Sequence, residues 1–238
     1  MKPALEELVK SHPSVWLGRD QYNDLTSIPS GFTSLDQALP SSGWAMGTVT
    51  ELLISQQGIG EFSLLLPALK HVTENDQWAV LIKPPYIPYA PALTNAGINL
   101  ERLLIIDSDS DTDTLWATEQ VLRCGLFSAV VSWVSRSDAK KQRRLQLAAE
   151  TGRTWAAVYR PAHAHKEHSP SALRITLALN DEHLQLDIIK SRGGTPQTVL
   201  VNLNEFDHSQ GSVWPGIKDC TDYHASRLAT LSSLPATR

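Results

Sequence analysis

The chain has 238 residues, 42% of them hydrophobic, and 21 Lys and Arg against 25 Asp and Glu give a formal net charge of −4. That length supports one α/β domain with extensions and a core that needs no disulfides, and the acidic balance argues against holding nucleic acid mainly through the protein's own field. Cys124 and Cys220 lack metal-ligand spacing and fit a reduced, cytoplasmic protein; the acidic Met1–Glu7 start is no signal peptide, and no run approaches the ~20 apolar residues of a membrane span.

Residues 1–27 read as an N-terminal arm: a short amphipathic helix over Ala4–Lys10, with Leu5 and Leu8 among its apolar residues, then Val15-Trp16-Leu17. Leu5, Leu8 and Trp16 either pack on their own domain or dock on a neighbour. Val49–Ile54 reads as a buried strand, Ser55–Gly60 as a turn and Phe62–Thr73 as a helix. Strands over Trp78–Ile82, Leu103–Ile106, Ala129–Val131 and Trp155–Val158 then alternate with helices over Pro91–Ala96, Thr112–Arg123 and Asp138–Thr151. Continuous apolar strands separated by helices of this length indicate a mainly parallel sheet with helices on both faces. Leu173–Leu179 and Leu184–Ile189 alternate with period two around Asn180-Asp-Glu, which predicts an antiparallel hairpin at the sheet edge, and Thr198–Leu203 offers one more strand. The Ser-, Pro- and Thr-containing segment 204–238 reads as a flexible C-terminal tail. The expected organisation is therefore an arm over 1–27, a core over 28–203 and a tail over 204–238.

The turn after the first long strand carries the sharpest chemical signal. A phosphate-binding loop needs Gly-x-x-x-x-Gly-Lys-[Ser/Thr], so that backbone N–H groups, a Lys and a hydroxyl meet the phosphates and Mg²⁺. Here Gly58 and Gly60 are followed by Glu61 and Phe62. A carboxylate ~4 Å from a phosphate repels it by roughly 4 kcal/mol at an effective dielectric near 20. At the start of a helix the Glu61 carboxylate can instead accept from free N–H groups and occupy the anion site from within, a favourable placement worth about 0.3–1 kcal/mol; the alternative is an exposed first-turn Glu.

Ile28–Leu39, Gly43–Gly47, Ala92–Leu104 and Leu184–Arg192 together resemble the RecA recombinase core over about 28–203. That resemblance implies a RecA-like sheet and locates the lost ATPase groups. The Lys position is Glu61 and the hydroxyl position Phe62, the catalytic Glu position is Pro85, and the metal-side Asp position is Ser132. Without a base and without metal-binding oxygens, hydrolysis fails, so no catalytic residue and no cofactor are expected. Lys190 and Arg192 stand where recombinases place cations that reach a neighbour's ATP; alternating strand residues point the same way, and the competing reading is a solvated strand end.

Val15–Gly18, Gly58–Leu69 and Pro84–Leu93 resemble the ImuA family of RecA-like accessory proteins in damage-induced mutagenesis. This implies a non-catalytic adaptor in SOS-induced translesion DNA synthesis, with an ImuB-type Y-family-like protein, an error-prone DNA polymerase III alpha-type subunit and the RecA filament as partners. Residues 64–161 are also similar to SulA, the damage-induced division inhibitor that binds the tubulin-like FtsZ, which implies a cell-division inhibitor as the alternative. Lys140, Lys141, Arg143 and Arg144 form a basic cluster that either touches a phosphate backbone weakly or stays solvated. His163, His165 and His168 share a loop without a nearby Cys, a poor zinc set. Ser132 lacks the Gly-x-Ser-x-Gly surroundings of a hydrolase nucleophile.

Overall fold

The computed structural model describes residues 26–181 and 183–205. A two-stranded ribbon of β1 (Ser27–Ile28) and β2 (Trp44–Ala45) brackets the short helix α1 (Thr33–Ala38). The main sheet then begins with β3 (Val49–Ile54), whose six residues are all buried, as a strand covered on both faces requires. Helix α2 (Leu66–Glu74) follows a 3₁₀ turn over Ser63–Leu65, and β4 (Trp78–Ile82), α3 (Ala90–Asn95), β5 (Leu103–Ile106) and α4 (Asp111–Cys124) come next. They are followed by β6 (Phe127–Trp133), α5 (Ala139–Gly152) and β7 (Trp155–Pro161). The antiparallel pair β8 (Leu173–Asn180) and β9 (His183–Ser191) precedes β10 (Gln197–Val201).

Side chains set these boundaries. Ser110 accepts from the Asp113 amide to start α4, and Gly125 at φ 67° ends it in the left-handed conformation that glycine adopts without strain. Asp138 accepts from the Lys141 amide at 2.8 Å to start α5.

The eight strands lie in the order β10-β9-β8-β3-β7-β6-β4-β5. From β8 to β5 all pairs are parallel, and β9 and β10 add antiparallel pairs. The protein is thus a mixed α/β fold with a mostly parallel sheet. One core layer joins Leu64, Leu69, Val72, Leu93 and Ile98 to the Leu52, Leu81 and Val131 face. The other joins Leu115, Leu122, Leu145 and Ala148 to the Val80, Val130 and Val158 face.

Several expectations change. The helix expected from Phe62 becomes regular only at Leu66, because a 3₁₀ turn intervenes. The hairpin β8–β9 does not form the sheet edge: β10 pairs outside β9 and takes that place. Helix α1 and the β1–β2 ribbon are too short for periodicity to reveal. The expected arm, with Leu5, Leu8 and Trp16, and the tail from residue 206 lie outside the described residues.

Parallel strands β7 and β8 flank β3, so residues 162–172 must cross over it, and they do so as a 3₁₀ turn (Ala162–Lys166) and extended chain instead of a long helix. A crossover of this kind leaves backbone carbonyls without intrahelical partners. Those carbonyls explain the charged residues buried beneath it.

Candidate functional site

In parallel α/β sheets, ligands settle beyond the carboxyl ends of the strands, and the turn after β3 opens there. Glu61 folds back onto this turn: its carboxylate accepts from the Gly58 amide at 3.1 and 3.2 Å and from the Ile59 amide at 3.0 Å. The loop amides that would face a phosphate hold the protein's own carboxylate, which is buried. The amides used belong to the loop, not to the first turn of α2, because α2 starts five residues later than Glu61.

Hydrophobic groups close the rest. Gly60 sits at φ +88°, and a Cβ there would lie 2.3 Å from Leu203 Cδ1, so the chain after β10 packs directly on the loop. The Phe62 ring lies 6.0 Å from the Trp133 ring, which stacks on Tyr159 at 5.1 Å. The Tyr159 hydroxyl donates to the Glu61 carbonyl at 2.6 Å. Burial first, then the Glu61 charge, holds this phenol protonated well above its usual range. Pro85 is exposed, whereas Ser132 is buried and points its hydroxyl at no partner. Lys83 and Asp111, near the same strand ends, are 3.3 Å apart, and Asp111 also accepts from the Ser135 and Arg136 amides. Leu203, Trp133 and Tyr159 were not singled out by sequence; aromatic residues ending two consecutive strands were the available signal.

If Glu61 holds the loop shut, Glu61→Lys should restore the phosphate-loop residue without restoring nucleotide binding. Two amides lose their acceptor, at a cost of about 1–3 kcal/mol, while Leu203 and Phe62 stay in place. Isothermal titration with millimolar ATP and Mg²⁺ should give no saturable heat for either form; saturable binding by the unaltered protein would refute the closed-loop reading.

The second polar centre lies under the crossover. Glu51, fully buried on β3, accepts from Arg174 Nε at 2.9 Å and from Ser171 Oγ at 2.9 Å, bonds to Ser169, and stands 3.7 Å from Arg160. Arg174 spends its other nitrogens on the carbonyls of Ala164 (2.7 Å) and Glu167 (3.1 Å), and Arg160 reaches the Glu167 carboxylate at 2.8 Å. Lys190 donates to the Ser169 carbonyl at 2.7 Å and Arg192 to the Pro170 carbonyl at 3.2 Å. Burial, then Arg192 and Arg174, lower the Lys190 pKa. Both cations reach their own crossover: Lys190 lies near the end of β9 and Arg192 just beyond it.

The remaining candidates stay apart. Arg144 on α5 pairs with Glu119 on α4 at 2.5 Å, while Lys140 and Arg143 are exposed. His163, His165 and His168 are exposed on the crossover, and no metal-holding group of His, Cys, Asp and Glu exists among the described residues. No helix among those residues is long and apolar enough to cross a membrane.

The geometry defines a mixed α/β protein whose loop after β3 is filled by its own side chains. Residues 47–156, from the approach to β3 into β7, match the family model described as "Cell division inhibitor SulA". The chain is similar to the cell division inhibitor SulA of Photorhabdus laumondii, at 29% identity over 114 residues covering 48% of this chain and 64% of that relative. It is similar to the SulA of Citrobacter koseri, at 26% identity over 158 residues covering 65% of this chain and 94% of the relative. For the Serratia marcescens SulA the figures are 24% over 115 residues, 48% and 68%. These matches overturn the expected translesion adaptor with ImuB-type, polymerase and RecA partners: the similarity attaches to division inhibitors, named for inhibition and not for catalysis. The likeness seen in Ile28–Gly47 lies outside the matched residues 47–156 except at Gly47, and a likeness of fold does not by itself carry a function.

Proposed function

We propose that this protein inhibits cell division by binding FtsZ, without turning over a nucleotide of its own. The similarity of residues 47–156 to division inhibitors carries this reading, since that stretch includes β3 through the start of β7. The filled loop agrees with it: a protein that acts by occupying a partner needs a rigid surface and no ATP cycle. The parallel order β5-β4-β6-β7-β3 supports a RecA-type ancestry in which Glu61, Phe62, Pro85 and Ser132 replaced the hydrolytic groups. The site of action is the cytoplasm, and production follows DNA damage.

Overproduction in a rod-shaped bacterium should give long, unseptated cells. Purified protein should depress FtsZ polymer sedimentation in proportion to the molar ratio of the two proteins. Normal division at high expression, together with unchanged FtsZ polymers at a twofold molar excess of inhibitor (about the stoichiometric range), would remove the proposal.

A further inference from the structure

Lys190 is held unlike the other described lysines. It lies near the end of β9, directly opposite Arg174 of β8 and two residues before Arg192. Its amine donates to the Ser169 carbonyl of the crossover at 2.7 Å. The charges that face it are Arg174 on β8, Arg192 just beyond β9 and the buried Glu51 on β3. Glu51 is already shared by Arg160 and Arg174, and Glu167 on the crossover pairs with Arg160. Asp187, farther back on β9, is engaged by Gln185 and Thr198, while Glu150 on α5 stands 3.8 Å from Arg192 and β10 carries no charge. Burial first, and then these two arginines, favour the neutral amine at Lys190. By contrast, Lys70 and Lys83 pair with Glu74 and Asp111, and Lys140 and Lys166 are exposed.

The same contact orients the nitrogen. A neutral amine that keeps one N–H on the Ser169 carbonyl turns its lone pair away from that oxygen. Lys190 is half-buried, so a small reagent can reach it. The Arg192 side chain, 42% exposed, adds positive charge beside the approach of an anionic reagent.

We infer that Lys190 is a modification site, acylated by small acyl phosphates. The amine lone pair forms a bond to the acyl carbon, and the bond from that carbon to the phosphate oxygen breaks with its electron pair on the phosphate. The proton released by the amine ends on the phosphate, so the products are an acyl-lysine and hydrogen phosphate, with nothing oxidised or reduced. Acylation removes the Lys190 charge and puts an acyl group where the amine meets Ser169. The crossover over 162–172 thereby loses one of its ties to β9.

Acetyl phosphate is the probe, applied to the full chain, with initial rates at each lysine read by peptide mass spectrometry. At neutral pH Lys190 should be acetylated severalfold faster than Lys140 and Lys166, although both are more exposed. The advantage should shrink as pH rises, because the exposed lysines then lose their protons as well. Arg192→Gln should slow Lys190 severalfold and leave Lys140 unchanged. Lys190→Gln, which mimics the neutral acylated state, should speed tryptic cleavage after Lys166 severalfold. Acetylation of Lys190 no faster than that of Lys140 and Lys166 at neutral pH overturns the inference, and so does an advantage independent of pH. These two readings use the unaltered protein and stand even if a variant fails to fold. A Lys190 rate indifferent to Arg192→Gln removes the role given to the arginine, and unchanged cleavage in Lys190→Gln removes the effect on the crossover. None of these readouts involves FtsZ.

Discussion

Glu51→Ala should lower stability by about 3–5 kcal/mol, the cost of removing one partner from a buried ion pair. The carboxylate sits between Arg160 and Arg174 and also receives the hydroxyls of Ser169 and Ser171. Truncation leaves two largely buried guanidinium groups with only the Glu167 carboxylate, which is half exposed, to balance them. The crossover over 162–172 should loosen with the loss, since Arg174 no longer has a fixed position from which to hold the Ala164 and Glu167 carbonyls. Urea denaturation gives the energy, and tryptic cleavage after the exposed Lys166 reports the crossover. A loss under about 1 kcal/mol, in the range of a surface pair, would mean that water or rearrangement compensates the charges. Glu51→Gln keeps the shape and part of the hydrogen bonding, so it should fall between the two.

Trp155→Ala is the second large effect expected, again about 3–5 kcal/mol for emptying a fully buried aromatic site. Trp155 stacks on Trp44 at 5.1 Å with 17° between the planes, and its Nε1 donates to Thr50 Oγ1 at 3.2 Å. The stack joins the β1–β2 ribbon to the main sheet beside the buried Ile28, so the ribbon should lose much of its packing together with the core. Trp155→Phe retains a ring against Trp44 and gives up one hydrogen bond and part of the volume. Near-UV circular dichroism alongside denaturation separates the cases: an intact aromatic signal from Trp44 in Trp155→Ala would show that the ribbon is held by other contacts.

Both predictions concern residues that sequence patterning did not select, and the reason is instructive. Val-Thr-Glu-Leu-Leu-Ile reads as a buried strand whether or not its Glu is paired, because a single polar residue does not break an apolar run. The partners of Glu51 come from β7, the crossover and β8, more than a hundred residues away in the chain. Lys190 and Arg192 show the converse. Their shared side was readable from alternation along a strand, but their target was not, because only the sheet order reveals that a helix-free crossover lies within reach. At the loop, Glu61's ability to take the anion site was legible from its position after Gly60. That Leu203 closes the same loop depends on where β10 returns.

The order along the chain and the type of the strands from Val49 to Val158, and the lack of a Lys and a hydroxyl directly after Gly60, follow from local composition and spacing alone. Those properties depend on residues adjacent in the chain, where backbone preference and side-chain period act directly. Tertiary structure alone decided which sheet edge is covered, which amides Glu61 satisfies and what the buried cations hold, because each of these depends on a partner brought close by folding and not by sequence.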